Sequence, residues 1–489
     1  MSTGDSPRNV LFLFTDQQRW DSLSCYGGNA DTPAVDSLAA RGTRFDRAYT
    51  PTAICTPART AIVSGRRPGQ TGVSANVGKS WTEHPKKVVD EYCFPNRLAE
   101  AGYAVDLVGK SHFGCDLEKM GFTGTHFPGA HQALNHPAYR EYLTDRGLPQ
   151  YDENALERLV PDPEVGRLDA ALDPRPVEAS FPRFLANRAI ERLERFAKEG
   201  TPFHLGVHFF GPHRPYIVPQ EYYELYNPAE ISLPESAVKE TFGDKPAVHE
   251  EQFWYWQLDR VDVEDWRRLI AVYRGFVRQL DDEVGRILEA MEELELREET
   301  AVFFSSDHGA FVTRHKLQDK GPAMYEDIYR VPLIADIPGT GPNGASRDEL
   351  VSLMDLSPTF LDLADQEIPE VYEGRSLLPL ARGETPESWR EDLLLEFNGL
   401  QYAYPQRALV TDRHKLVVNP PDGDELYDLA ADPAELTNRI DDEDYAAIRE
   451  RLYDSLAERL IAVGDDFPAR EDNFFPGRHP ARRPTLDDN

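Results

Sequence analysis

The chain has 489 residues and carries 53 Lys plus Arg against 85 Asp plus Glu, a net charge of −32. A surface this acidic repels nucleic acid and anionic membranes, and apolar runs such as Val10-Leu11-Phe12-Leu13-Phe14 fall well short of the roughly 20 residues of a membrane span. Hydrophobic residues make up 40% of the chain, enough for a folded core, and the length exceeds what one core usually holds.

Taken in order, the chain opens at Met1 to Ser6 with no basic region, and Asp16 interrupts the first apolar run, so a cytoplasmic protein without a signal peptide is expected. Residues 9 to 15 are predicted to form a continuous apolar strand ending in Asp16-Gln17. Thr32-Pro33 opens a predicted helix with Val35, Leu38 and Ala39 on one face, closed by Gly42. A second helix is predicted over 94 to 101, closed by Gly102, then a strand over 103 to 108 that ends at Gly109-Lys110-Ser111-His112. A helical run over 180 to 198 stops at Gly200, and the strand predicted over 203 to 210 ends at Gly211-Pro212-His213. Residues 263 to 294 read as helix and 301 to 305 as a strand just before Asp307-His308.

This alternation predicts an α/β fold, a large mixed and mostly parallel sheet flanked by helices, with chemically active residues beyond the carboxyl ends of its strands. Residues 122 to 178 and 219 to 262 are poor in strand signal and rich in Pro, His and aromatics, and read either as insertions over an active-site rim or as plain packing. From Trp389 the pattern changes to short strands over 393 to 397, 408 to 411 and 415 to 418, then a helix over 445 to 463. The predicted organisation is a catalytic domain at 1–388, a small α+β subdomain at 389–468 and an extended or disordered tail at 469–489. Four cysteines, Cys25, Cys55, Cys93 and Cys115, make no disulfide framework and include no C-x-x-C pair for zinc.

The densest chemistry lies at Cys55-Thr56-Pro57-Ala58-Arg59. Thr56 is suited to cap a helix and Pro57 to its first turn, which places residue 55 beside free backbone N–H groups and the positive end of a helix dipole. That position suits a tetrahedral anion, and Arg59, one turn along, can reach back with a bidentate fork.

This segment, continuing through Ser64-Gly65, resembles the C-x-P-x-R maturation motif of the type I sulfatases in the alkaline phosphatase superfamily. The resemblance runs from Asn9 to about Ile440, and it implies that Cys55 is oxidised to formylglycine, whose hydrated aldehyde attacks sulfur. Asp16-Gln17 and Ser306-Asp307-His308-Gly309 resemble the family's two metal-ligand pairs. They imply one divalent ion held by Asp16, Gln17, Asp307, His308 and the modified Cys55, with Ca²⁺ preferred over Mg²⁺ or Mn²⁺ because the donors are mostly hard oxygens. Gly109-Lys110-Ser111-His112-Phe113-Gly114 resembles the G-K-x-H-x-G segment, which puts Lys110 on the sulfate and makes His112 the proton acceptor. His213-Arg214-Pro215 resembles the H-x-P motif, and Asp319-Lys320-Gly321 with Tyr325-Glu326 resembles the K-G…Y-E segment, so His213 and Lys320 would also meet the sulfate or its leaving oxygen. His315 is a weaker candidate, equally readable as a solvated loop histidine.

The implied catalytic set is thus Cys55, Arg59, Lys110, His112, His213 and Lys320, and the implied partners are a small-molecule or carbohydrate sulfate ester and a formylglycine-generating maturation enzyme. Gln17 and His308 stand where many members carry Asp and Asn, a departure that resembles the branch of choline sulfatases and phosphonate monoester hydrolases. A phosphonate monoester or phosphodiester hydrolase, or a non-catalytic binding relative, are the competing readings. The acidic balance, with 11 Lys against 42 Arg, also fits either a salt-loving enzyme or a merely acidic mesophilic one.

Overall fold

A computed structural model describes residues 9–76, 92–113, 117–127, 129, 133–159, 168–401, 403–420, 422–465 and 467. Cys115 and the tail from Ala469 lie outside the described residues. No helix among those residues is long and apolar enough to cross a membrane.

The central strand, Asn9–Thr15, pairs in parallel with Thr300–Ser306 on one side and Phe203–His208 on the other. Ala104–Lys110 and His126–Phe127 extend the sheet in parallel beyond Phe203–His208. On the opposite flank Leu333–Asp336 runs antiparallel to both Thr300–Ser306 and Thr43–Phe45, and Ala345–Arg347 closes that edge. The result is the mixed, mostly parallel sheet that the alternating pattern predicts.

Side chains of a strand alternate between faces, so Asn9–Thr15 must find cover on both. Leu11 and Leu13 join Val108, Leu205, Val207, Val302 and Phe304 in one core, under the helices Pro33–Arg41, Phe181–Glu199 and Val263–Glu293. Val10, Phe12 and Phe14 face the other way, against Ile62 and Val63 of the helix Cys55–Ser64 and against Phe94, Leu98 and Phe360. Cover on both faces explains why these strands read as unbroken apolar runs. Each large side chain so buried contributes about 1.5–3 kcal/mol.

Local signals set the element ends. Ser180 accepts from Arg183 N to cap Phe181–Glu199, and Gly200 closes that helix at φ 64°, a left-handed conformation that favours glycine. One start differs from expectation. The helix Cys55–Ser64 is capped by Ile54 in extended conformation, and Thr56 lies inside it with a hydroxyl that makes no hydrogen bond. Cys55 is therefore the first helical residue, and Pro57 falls within the first turn as expected.

Beyond the main body, Asp392–Gly399, Ala403–Thr411, His414–Val418 and Glu425–Asp428 form an antiparallel meander. One face, with Leu409, Leu416 and Leu426, packs on Leu452, Leu456 and Leu460 of the helix Ala446–Ala462. The other, with Phe397, Val410 and Tyr427, packs on Tyr49, Tyr325 and Tyr329 of the main body.

Candidate active site

Four strand ends and one helix start converge. Asp16 and Gln17 follow Thr15, Asp307 and His308 follow Ser306, Lys110 ends its strand, and His213 lies just beyond His208. Because Thr15 and Ser306 are register partners, the two acidic turns emerge side by side. Gln17 N donates to Asp307 Oδ1 at 3.0 Å, which fastens one turn to the other.

Ligand-type atoms of Asp16, Cys55, Asp307 and His308 lie within 4.8 Å of one another, and all four residues are buried. Cys55 Sγ is 3.2 Å from His308 Nε2. Lys110 Nζ bonds to Asp16 Oδ2, while Asp16 Oδ1 is buried without a hydrogen-bond partner. A carboxylate oxygen in that state is costly unless a cation meets it. Two carboxylates, an imidazole and the group at position 55 therefore fit a divalent ion.

Charges around the cluster are strongly coupled. Burial and the Cys55 sulfur push Asp16 up, but Lys110, His213 and Arg59 outweigh them and hold its carboxyl below the usual range. Burial likewise opposes ionisation of the Cys55 thiol, yet Lys110, Lys320 and His308 bring it well below an ordinary thiol. Burial disfavours a protonated His308, while Asp307 overcomes that and raises it. His112, hydrogen-bonded to Cys55, is lowered mainly by burial.

Lys320 Nζ lies 3.2 Å from both Gln17 Oε1 and His213 Nε2. A cavity of about 390 Å³ opens over this group, with Cys55, Asn76, Lys110, His112 and His213 at its reactive end. Its outer walls are mostly apolar, from Phe181, Leu185, Phe210 and Phe276, with Tyr151, Arg175 and Arg214 at polar points. Residues 122 to 178 supply Tyr151, Asp173 and Arg175, and 219 to 262 supply Pro219, so parts of both predicted insertions border the cavity.

Arg59 departs from its expected geometry. Its Nε donates to Asp307 and its Nη2 to Asp16, while Nη1 reaches Lys110 O at 3.1 Å and His208 Nδ1 at 3.3 Å. The guanidinium lies behind the cluster, fully buried against the Phe14 ring. His315 is neither in the cavity wall nor solvated. It is buried, stacked on Tyr325 and bonded to Glu240 Oε2 at 2.8 Å.

Several contributors are not singled out by sequence. His208 sits in an apolar strand, where a polar residue was itself the signal. Asp319 and Arg214 fall inside recognised segments, but nothing in their spacing shows that they pair at 3.2 Å.

Comparison with known proteins completes the picture. The sulfatase family model matches residues 8–366, and that of the C-terminal part of N-sulphoglucosamine sulphohydrolase matches 313–461. The chain belongs to the sulfatase family. It is 32% identical to the uncharacterized sulfatase YidJ of Escherichia coli strain K12, over 97% of this chain and 91% of that one. It is 28% identical to a choline-sulfatase of Rhizobium meliloti, over 90% of this chain and 83% of the relative. In structure this sulfatase resembles the phosphonate monoester hydrolase of Agrobacterium radiobacter, with a TM-score of 0.77 at 24% identity over 98% of this chain and all of the other.

Proposed function

We propose that this sulfatase releases inorganic sulfate from an organic sulfate monoester, with formylglycine made from Cys55 and one divalent ion, Ca²⁺ first, at Asp16, Gln17, Asp307 and His308. The observation that carries the reading is the buried cluster of Asp16, Cys55, Asp307 and His308, which meets through Cys55 a cavity lined by Lys110, His112 and His213, with Lys320 Nζ 3.2 Å behind His213. The ion, when bound, supplies a Lewis acid that polarises the ester's oxygens. Formylglycine supplies a hydroxyl nucleophile where the Cys55 sulfur stands, and a maturation enzyme must install it.

The remaining work falls to side chains. Lys110 and Lys320 put two ammonium groups at the reactive end, in a buried setting where they act strongly on charge that develops there. The Lys320–His213 contact at 3.2 Å supports the reading that this pair donates a proton to the leaving oxygen. His112, hydrogen-bonded to residue 55, takes the proton from that residue's remaining hydroxyl. Arg59 holds Asp16 and Asp307 in place from behind. The apolar outer walls receive the organic half, a small-molecule or carbohydrate alcohol.

A second reading, hydrolysis of a phosphonate monoester or phosphodiester at the same site, draws on Gln17 and His308. The test is a kcat/KM panel of sulfate, phosphonate and phosphodiester substrates on matured protein, paired with peptide mass spectrometry at position 55. Sulfate monoesters are expected to rank first and the aldehyde to be present. Full activity with unmodified Cys55 overturns the mechanism, and a faster phosphonate or phosphodiester installs the second reading.

A further inference from the structure

We propose that Asp319 is a positioning residue of the cation site, one that sets which end of the Gln17 amide faces the cluster. The inference rests on the metal reading above and goes beyond it, since Asp319 itself is not among the proposed ligands. A glutamine amide has an acceptor end and a donor end, and only the oxygen can ligate a cation. Left alone, the group turns either way.

Here it does not stand alone. Gln17 Nε2 donates to Asp319 Oδ1 at 2.7 Å. A carboxylate only accepts, so a flipped amide would set oxygen against oxygen at that distance. The oxygen end is thereby turned away from Asp319 Oδ1, and Oε1 accepts at 3.2 Å from Lys320 Nζ, which itself reaches the same Oδ1 at 3.4 Å. The residue's own backbone N–H is bonded to Asp307 Oδ1, which leaves the side chain little freedom to move away.

Asp319 is held just as firmly. Its second oxygen pairs with Arg214 Nε at 3.2 Å, and Arg214 lies 4.3 Å over the Trp256 ring and bonds to Asp169. Next along the chain, Lys320 O accepts from Gln252 Nε2 at 2.8 Å. Gln17 and Asp319 both have left-handed backbones, at φ 63° and 65°. Few residues accept that conformation, and Asp and Asn are among those that do. An Asn at 319 therefore keeps the turn while removing the part of the bias that Asp319 supplies, because its amide can donate as well as accept, and leaves Lys320 Nζ as the only group that still favours the oxygen end.

The experiment titrates Ca²⁺ and Mn²⁺ calorimetrically into the full chain after chelator treatment, for wild type, Asp319→Asn and the double variant Gln17→Glu/Asp319→Asn. The double variant keeps the charge of the pair and exchanges donor with acceptor, and a carboxylate at 17 offers an oxygen whichever way it turns. Asp319→Asn is expected to weaken cation binding about tenfold or more, the usual scale for a group that orients a ligand. The double variant is expected to return to within about threefold of wild type by the same reasoning. Equal binding by wild type and Asp319→Asn overturns the proposal. So does a double variant no better than the single one, which would reduce Asp319 to a structural role. A wild-type chain that takes up neither cation overturns the metal reading instead, a distinct result.

Discussion

Arg59 Nε donates to Asp307 Oδ2 across 2.8 Å, in an ion pair with no exposed side-chain surface. Its Nη2 reaches Asp16 Oδ2 at 3.1 Å, so one guanidinium ties together the carboxylates that follow two neighbouring strands. The arginine of the Cys55 motif thus bonds the two acids rather than facing the cavity. Two buried carboxylates this close would repel each other, and a planar fork between them meets one oxygen of each while Asp16 Oδ1 stays without a hydrogen-bond partner.

Arg59→Ala is expected to cost about 3–5 kcal/mol of stability, because it leaves Asp16 and Asp307 buried without their partner. Arg59→Lys should recover part of the charge but only one of the two directed bonds. Urea unfolding of the cation-free proteins measures this directly, and an alanine variant within about 1 kcal/mol of wild type would show that the pair contributes little.

Asp16→Asn and Asp307→Asn should each lower bound metal and turnover together, since each removes an anionic donor from the cluster. Cys55→Ala should abolish turnover while leaving the fold intact, because it deletes one small side chain. Elemental analysis alongside steady-state rates separates the cases. Wild-type metal content and rate in both Asn variants would remove the two acids from the site.

Much of the fold was legible because both faces of the central strands are buried. Residues 9 to 15 therefore read as a continuous apolar run and 301 to 305 as a strand, and the polar residues that follow them stand out. The short strand Glu425–Asp428 was not legible, since Glu-Leu-Tyr-Asp is too brief and too charged to show a period. Within the site, the spacing of Cys55 and Arg59 placed them on one helix face but could not tell that Asp16 and Asp307 lie nearer to the guanidinium than the cavity does. His315, readable as a weaker site candidate or as a solvated loop histidine, proved to be neither for a similar reason. Glu240, its partner, belongs to a distant segment, and tertiary packing alone brings the two together.

The contact between the C-terminal sheet and the main body supplies a pH dependence. Lys415 Nζ lies 2.5 Å from Glu435 Oε1 and 3.3 Å from Glu326 Oε1, so two buried carboxylates share one ammonium. Burial is the largest influence on Glu435, and with the Glu326 charge it outweighs Lys415 and pushes the carboxyl up to about 8 from an ordinary 4.5. The folded state then binds a proton that the unfolded chain has already released. Its contribution to stability is whole below pH 4.5 and is lost as pH rises to about 8. Glu435→Gln mimics the protonated form and keeps an acceptor for Glu326 N. The variant should match wild type near pH 5 and become the more stable of the two near pH 9. Unfolding midpoints that run parallel across that range would rule the effect out.

The net charge of −32 makes a separate claim, that the enzyme is built for high salt. Exposed pairs such as Arg158–Glu153 are worth little and weaken further with salt. If they governed stability, added KCl would reduce it. The excess of 85 acids over 53 bases works the other way, because repulsion among unpaired surface carboxylates opposes the compact state. At molar salt the Debye length falls to roughly 3 Å, which screens most of that repulsion. Buried pairs such as Arg59–Asp307 are screened far less, so the site should keep its geometry while the surface relaxes. The unfolding midpoint is therefore expected to rise between dilute buffer and molar KCl, with metal content unchanged. A midpoint that stays flat or falls over that series would remove the high-salt reading and leave an acidic enzyme of ordinary habitat.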